Sequence, residues 1–178
     1  MDLSRALEIP GWTTPYQLEW LAKVASKCNV IVELGSMRGR SARAMVDNSE
    51  ALIYCVDTWV VENSWGHSFD LFRKNMADVL DRIVMLRMLT EVGVRQIPDE
   101  LDMVFVDAGH SYGCVYSDIM NYGPKVRVGG LLCGHDYNSS PDVKLVVDRL
   151  LPSATNEPDN MWWVRKPTGG FHLEETSS

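Results

Sequence analysis

The stretch VIVELGSMRGRS, residues 30–41, joins a run of largely apolar residues to a turn that contains two glycines. The run Val30–Leu34 is rich in β-branched residues, which is typical of a buried strand, and Arg40–Val46 suits a helix. The turn lacks the G-x-G-x-x-G spacing of dinucleotide-binding folds and the four-residue spacing and lysine of a P-loop. Because Glu33 lies beside the turn, a pyrophosphate is disfavoured, and a ligand that carries a cation fits better.

The same alternation of short apolar runs with segments of helical period continues through the chain. Further strands are predicted at Leu52–Asp57, Ile83–Leu86, Leu101–Asp107, Gly129–Gly134 and Met161–Val164. Helices are predicted at 14–24 with Thr14 as N-cap, at 69–80, at 112–122 and from Ser140 onward. This alternation predicts an α/β fold with a mainly parallel sheet.

Composition restricts the classes of function. The chain has 178 residues, and 17 Lys and Arg against 24 Asp and Glu leave a net charge of −7. This length suits one domain, and the charge argues against a nucleic-acid partner because no basic stripe offsets it. No apolar stretch is long enough to span a membrane, and the charged first residues argue against a secretory signal, so we expect a cytoplasmic protein. The four cysteines form no C-x-x-C pair and are expected to be buried reduced thiols.

Acidic residues lie at the ends of four predicted strands. Glu33, Asp57, Asp107 and Asp136 are at or just past the carboxyl ends of apolar runs. In an open α/β sheet these ends form one rim, where ligands bind. A single acid at such a position is as often a helix cap or turn former, but four acids at one rim favour a binding site. S-adenosylmethionine carries a sulfonium and an ammonium group but no phosphate, and it fits the glycine turn with its acid.

Four motifs carry a resemblance to a known family. They are ELGSMRGRS at 33–41, VDTW at 56–59, VFVDAGHSY at 104–112 and VGGLLCGHDY at 128–137. With them the chain resembles the class I S-adenosylmethionine-dependent methyltransferases, and most of all the small branch called methyltransferase family 24, which is related to catechol-type O-methyltransferases. The resemblance implies one doubly wound, Rossmann-like methyltransferase domain over 29–173, with a mostly parallel seven-stranded sheet and helices on both faces. Residues 1–28 would form a helical extension and 174–178 a polar tail.

The resemblance also implies which residues hold the cofactor. Those at its methionine end would be Glu33, Gly35, Ser36, Gly39 and Ser41. Asp57 would accept hydrogen bonds from both ribose hydroxyls, and Trp59 would stack on the adenine. The other cofactor positions would be Thr58, Leu89, Thr90 and Asp107, with Leu89 and Thr90 near the edge of the base. The family often has Gly-Asp-Ser where this chain has Met88-Leu89-Thr90.

The candidate catalytic residues are Asp107, His110, His135 and Asp136. By the resemblance, Asp107 and Asp136 would hold Mg²⁺ or Mn²⁺, which lowers the pKa of an acceptor hydroxyl. Relatives have Asn directly after the second acid, whereas this chain has Tyr137. The alternative is metal-free catalysis with His110 or His135 as general base. We expect His135 to lie beside the acceptor and His110 to face the cofactor.

The methyl acceptor is expected to be a small molecule, because the chain leaves little room for an inserted substrate domain. Contacts to it would come from the loops 9–14, 60–67 and 137–140, which contain Trp12, Trp65 and Tyr137. The pair Trp162 and Trp163 suggests a homo-oligomer. Two other functions remain open, namely a different S-adenosylmethionine-using enzyme on this fold and a non-catalytic cofactor-binding module.

Overall fold

The computed structural model describes residues 1–60 and 68–173. The described residues form six strands: β1 (Val30–Leu34), β2 (Leu52–Asp57), β3 (Ile83–Arg87), β4 (Leu101–Val106), β5 (Val126–Gly134) and β6 (Trp162–Arg165). The α-helices are α1 (Ser4–Glu8), α2 (Pro15–Ala25), α3 (Arg40–Val46), α4 (Ser68–Asn75), α5 (Thr90–Gly93), α6 (Tyr112–Tyr122) and α7 (Pro141–Leu150). The α/β class and every predicted strand are confirmed.

The strands form one sheet in the order β3-β2-β1-β4-β5-β6. All neighbours pair in parallel except β5 and β6, which are antiparallel. The count of seven strands was wrong for the described residues. Within the described ranges, the outer edge of β6 pairs only through an isolated bridge between Thr155 and Trp163. Pro152 and Pro158 flank that bridge, and proline has no backbone N–H to extend a ladder.

Alternate residues of β1 are buried in two hydrophobic cores, one on each face of the sheet. Ile31 belongs to the core that contains Leu21 and Met45. Val32 belongs to the core that contains Ile119 and Val147. Helices α2 and α3 therefore cover one face of the sheet, and α6 and α7 cover the other. This burial on both faces explains why the parallel strands are nearly continuous apolar runs.

The N-terminal segment is fastened to the rest of the domain. Thr14 caps α2 in a capping box with Gln17, as its sequence predicts. The Arg40 guanidinium donates to the carbonyl oxygens of Thr13 at 2.9 Å and Ile9 at 2.6 Å. The loop that precedes α2 is thereby held against the start of α3, beside the glycine turn.

Several smaller expectations are corrected. The helix predicted over 69–80 ends at Asn75, and a 3₁₀ turn follows at Leu80–Arg82. Cys114, in the first turn of α6, is exposed, whereas Cys55 and Cys133 are buried as expected. Trp162 is fully buried in the core of its own chain, so it offers no surface to a second subunit.

None of the helices in the described ranges could cross a membrane.

Candidate functional site

A cavity of about 850 Å³ lies at the carboxyl ends of the parallel strands. It is bounded by the turn after β1, the ends of β2 and β4, and the loop 10–13. Gly35 has φ +88°, and a Cβ at this position would lie 2.1 Å from the carbonyl oxygen of Asp107. Only glycine allows the turn to pass so close to the end of β4. The two halves of the predicted site therefore meet in one cavity.

The residues predicted for the methionine end divide into two groups. Gly35, Ser36 and Ser41 line the cavity. Glu33 is fully buried behind them, where it accepts a hydrogen bond from the Ser41 hydroxyl. Burial raises the pKa of Glu33 to about 7, although its hydrogen bonds with serine side chains lower it. The prediction that Glu33 contacts the cofactor is corrected, because Glu33 does not line the cavity and lies behind the serine side chains.

Gly39 also lies outside the cavity lining. It has φ +86°, and a Cβ there would lie 2.3 Å from the Met76 side chain and 3.1 Å from the Phe72 ring. The glycine is required by the packing of the turn against α4. Its predicted contact with the cofactor is therefore corrected to a structural role.

Asp57 lies at the end of β2 and faces the cavity, together with Thr58. Its Oδ2 accepts from the Met37 backbone N–H at 2.8 Å, and its Oδ1 accepts from the Trp59 backbone N–H at 2.6 Å. These bonds fix the carboxylate between the β1 turn and the β2 loop. Each carboxylate oxygen can accept a second hydrogen bond, so the group remains able to receive two hydroxyls.

The structure does not place Trp59 where it could stack on an adenine. The indole is only 4% exposed and packs on the rings of Phe69 and Phe72 at centroid distances of 4.9 and 5.0 Å. Its Nε1–H donates to the Met37 carbonyl oxygen at 2.7 Å. The sequence-based role is therefore corrected, because the ring fills the gap between α4 and the glycine turn.

The end of the cavity near β3 combines the predicted residues with some that the sequence did not reveal. Leu89 and Thr90 line it as expected, and Leu89 is 55% exposed. Helix α6 adds Cys114 and Asp118 to this wall. Asp118 was missed because a helical acid is ordinarily solvated. The available signal was its spacing, which places it on the apolar face of α6.

A polar cluster occupies the other side of the cavity. His110 Nε2 lies 3.0 Å from Asp136 Oδ2 and 4.0 Å from Asp107 Oδ1. His135 Nδ1 lies 3.3 Å from the same Asp136 oxygen and 3.9 Å from Asp107 Oδ1. One ligand atom from each of Asp107, His110 and Asp136 lies within 4.8 Å of the other two. All four predicted catalytic residues are thus brought together.

The two carboxylates of this cluster differ in their electrostatics. Burial raises the pKa of Asp107 to about 7, and the nearby charge of Asp136 adds to the rise. Burial also acts on Asp136, but hydrogen bonds from His110, His135 and Ser139 outweigh it and hold its pKa well below the usual range. The hydrogen bond to Asp136 raises the pKa of His110. Charge is therefore concentrated on Asp136 and its histidine partners.

The two histidines differ in access to solvent. The His135 side chain is 8% exposed, and its Nε2 has no partner among the described residues. The His110 side chain is 53% exposed at the mouth of the cavity. Both histidines line the cavity and His110 is the more accessible of the two, so the placement of His135 beside the acceptor stays a prediction.

Comparison with known proteins agrees with this geometry. The sequence profile of a family described as a methyltransferase domain matches residues 32–137, more than half of the chain. The chain belongs to this methyltransferase family. The match confirms the resemblance to class I methyltransferases of family 24. No curated protein sequence matches.

Solved structures show the same fold at low sequence identity. The methyltransferase PaMTH1 of Podospora anserina, in an SAH-bound form, has a TM-score of 0.73 and 14% identity over 91% of this chain and 87% of its own. An O-methyltransferase of Bacillus cereus in complex with SAH has a TM-score of 0.69 and 17% identity over 92% and 90%. An rRNA methylase of Streptococcus thermophilus has a TM-score of 0.66 and 12% identity over 90% and 99%. One fold thus carries different acceptors.

A residue outside the motifs supports the polar cluster of this methyltransferase. Asn160 Oδ1 accepts from the backbone N–H groups of Asn138 at 2.7 Å and Ser139 at 2.9 Å. Its Nδ2 donates to Asp136 Oδ1 at 3.4 Å, and the Ser139 hydroxyl donates to the same oxygen at 2.5 Å. Asp136 and Asn160 both have positive φ, near 63° and 62°. Such backbone strain is typical of functional sites, but no sequence pattern indicated Asn160.

Of the expected acceptor loops, two lie in the described residues. Trp12, 66% exposed, lines the cavity mouth with its neighbours in the loop 10–13. Tyr137 points away from the cluster, because its hydroxyl donates to Asp148 and its ring lies against Lys144. The third loop, with Trp65, lies outside the described residues.

Proposed function

We propose that this methyltransferase transfers a methyl group from S-adenosylmethionine to a hydroxyl of a small molecule, assisted by a divalent cation. The observation that carries the proposal is the approach of Asp107, His110 and Asp136 within 4.8 Å of one another at the mouth of the cavity that holds the glycine turn. A cavity of about 850 Å³ has room for a cofactor and a small acceptor. The net charge of −7 favours a small acceptor over a nucleic acid.

The cofactor site fits a ligand with a cationic methionine end. The turn after β1 offers Ser36 and Ser41 to polar groups, and Glu33 stands behind Ser41. Asp57 faces the cavity with acceptor capacity to spare for ribose hydroxyls. The Gly35 turn brings this half of the cavity into contact with Asp107. A methyl donor held here would present its methyl group toward the polar cluster.

The polar cluster also fits a divalent cation, with one change to the ligand set. Two carboxylates and an imidazole suit Mn²⁺, and the carboxylates suit Mg²⁺. The raised pKa of Asp107 reflects burial next to a second acid, and a cation would relieve that repulsion. His110 takes the place expected for an asparagine, since Tyr137 is turned toward Asp148. When bound, the cation would lower the pKa of the acceptor hydroxyl.

The residues of this chain orient the two reactants beside the site where the acceptor hydroxyl loses its proton. Transfer forms a bond from the acceptor oxygen to the methyl carbon and breaks the bond from that carbon to sulfur, so the two must be aligned. Asp136, fixed by Ser139 and Asn160, holds the His110 ring at the cavity mouth. With His110 as a ligand of the cation, the acceptor proton leaves to solvent.

A second mechanism keeps the same reaction without a metal. Asp136 already accepts hydrogen bonds from His110, His135 and Ser139, which resembles an Asp–His dyad. In this mechanism His110 Nε2–H donates to Asp136, His110 Nδ1 takes the hydroxyl proton, and Asp136 stabilises the resulting imidazolium. The half-exposed position of His110 favours it over His135 as the base.

One experiment tests the reaction and separates the two mechanisms. Metal-stripped protein is incubated with S-adenosylmethionine and a panel of small phenols and catechols, with EDTA, Mg²⁺ or Mn²⁺, and products are weighed by mass spectrometry. The proposal predicts a product heavier by one methylene and activity only with a cation. Activity that is undiminished in EDTA would establish the metal-free mechanism. Cofactor binding without any methylated product, in this panel extended by small amines and thiols, would support a non-catalytic module. A different product derived from the cofactor would indicate another class of enzyme.

A further inference from the structure

Helix α6 carries a carboxylate on the face that it packs against the sheet. Val115, Ile119 and Tyr122 on this face belong to a hydrophobic core, and Asp118 lies among them at helical spacing. Asp118 is only 1% exposed. An apolar side chain at this position would pack without cost, whereas a carboxylate loses its hydration. The fold therefore gives no structural reason for an acid here.

Asp118 lacks a partner for its oxygens. Neither Oδ1 nor Oδ2 has a hydrogen bond of acceptable geometry among the described residues. Burial raises the pKa of Asp118 to about 6, the nearby Thr90 side chain lowers it, and the negative Glu91 raises it further. A buried acceptor in this state gains free energy from any N–H donor that reaches it.

Helix α6 brings Asp118 to the wall of the cofactor cavity, at its end near β3. Asp118 lines the cavity with Thr90, and the Tyr122 hydroxyl donates to the Thr90 carbonyl oxygen at 2.8 Å, which fixes α6 against this segment. A Cβ added to Gly113 would meet nothing within 4 Å, so space is open five residues earlier on the helix. The Met88 N–H donates to the Asp57 carbonyl oxygen at 3.0 Å, which joins this end to the ribose position.

We propose that Asp118 accepts a hydrogen bond from the exocyclic amino group of the adenine and makes the site selective for a 6-aminopurine. The inference rests on the proposed function, since it assumes that S-adenosylmethionine occupies the cavity. Met88 and Leu89 offer apolar contact to a flat base, and the segment 88–90 contributes no carboxylate of its own. The amino group supplies the donor that Asp118 lacks. A 6-oxopurine would instead bring a carbonyl oxygen against it.

The test compares S-adenosylhomocysteine with S-inosylhomocysteine, in which a 6-oxo group replaces the amino group, by titration calorimetry. The wild-type protein should bind the adenosyl ligand at least about tenfold more tightly, because a hydrogen bond to a charged acceptor has about this effect. The variant Asp118→Leu completes the apolar face of α6. Its affinity for S-adenosylhomocysteine should be roughly tenfold or more below that of the wild type, and its preference for this ligand over S-inosylhomocysteine should vanish. In the near-isosteric Asp118→Asn the preference should also vanish, because the amide can donate to the 6-oxo group.

The matched control is Glu50→Gln, which removes an exposed acid outside the cavity lining and should leave the preference unchanged. If the wild-type protein bound the two ligands with equal affinity, that result alone would overturn the inference. A parallel loss of affinity for both ligands in the Asp118 variants would also overturn it. Such a loss would indicate that the carboxylate contacts the ribose or stabilises the fold. Failure of both ligands to bind the wild-type protein would instead refute the proposed function.

Discussion

Glu33 should make the stability of this methyltransferase fall as the pH rises from about 5 to 8. Its side chain is fully buried on β1, and burial raises its pKa from 4.5 to about 7. The folded pKa lies above the unfolded pKa, so the stabilising contribution is complete below about pH 4.5 and is lost as the pH rises through 7. The difference between these pKa values corresponds to at most about 3 kcal/mol.

Replacement of Glu33 with Gln should remove this dependence. The amide oxygen can still accept from the Ser41 hydroxyl, and the side chain stays neutral at every pH. The stability of Glu33→Gln relative to wild type should therefore increase by about 2–3 kcal/mol between pH 5 and pH 8. Urea unfolding at intervals of one pH unit measures this difference, with the exposed Glu50→Gln as the control for net charge. A difference in stability that stays constant from pH 5 to pH 8 would refute the raised pKa of the buried Glu33.

Four further substitutions test the site. Asp57→Ala should weaken binding of S-adenosylhomocysteine at least about tenfold in calorimetry, because it removes an acceptor for two ribose hydroxyls; unchanged affinity would place the ribose elsewhere. His110→Ala should lower the single-turnover rate about 10²-fold or more with cofactor affinity intact, whereas the buried His135→Ala should mainly lower the melting temperature; the reverse pattern would support the sequence-based assignment. Asn160→Gly keeps the positive φ but frees Asp136, so the rate should fall about tenfold while cofactor affinity holds; loss of cofactor binding would contradict a positioning role.

Strand positions were predictable because the parallel strands are buried on both faces. Val30–Leu34 and Leu52–Asp57 have the predicted bounds, since their apolar runs end where the chain leaves the core. The seventh strand, which the described residues do not contain, was implied by the resemblance alone and not by these apolar runs. At that edge two prolines limit pairing to one bridge at Thr155.

The convergence of the strand-end acids was also predictable, whereas the orientation of single side chains was not. A rim position brings Asp107 and Asp136 together in any parallel sheet of this order. Which way Trp59 turns depends on the packing of α4, and the exposure of His110 depends on a loop. Asn160 acts across 24 residues of sequence, so only the folded chain reveals its bonds to the 136–139 loop.

The central claim is that one cavity holds S-adenosylmethionine beside a cation bound by Asp107, His110 and Asp136. A crystal structure with S-adenosylhomocysteine and Mn²⁺, with anomalous diffraction at the manganese edge, tests it most directly. We predict the ligand ribose at Asp57, its sulfur toward the polar cluster, and one anomalous peak within about 2.0–2.4 Å of oxygen or nitrogen atoms of all three residues. Ligand density outside this cavity, or an anomalous peak that is not coordinated by Asp107 and Asp136, would contradict the claim.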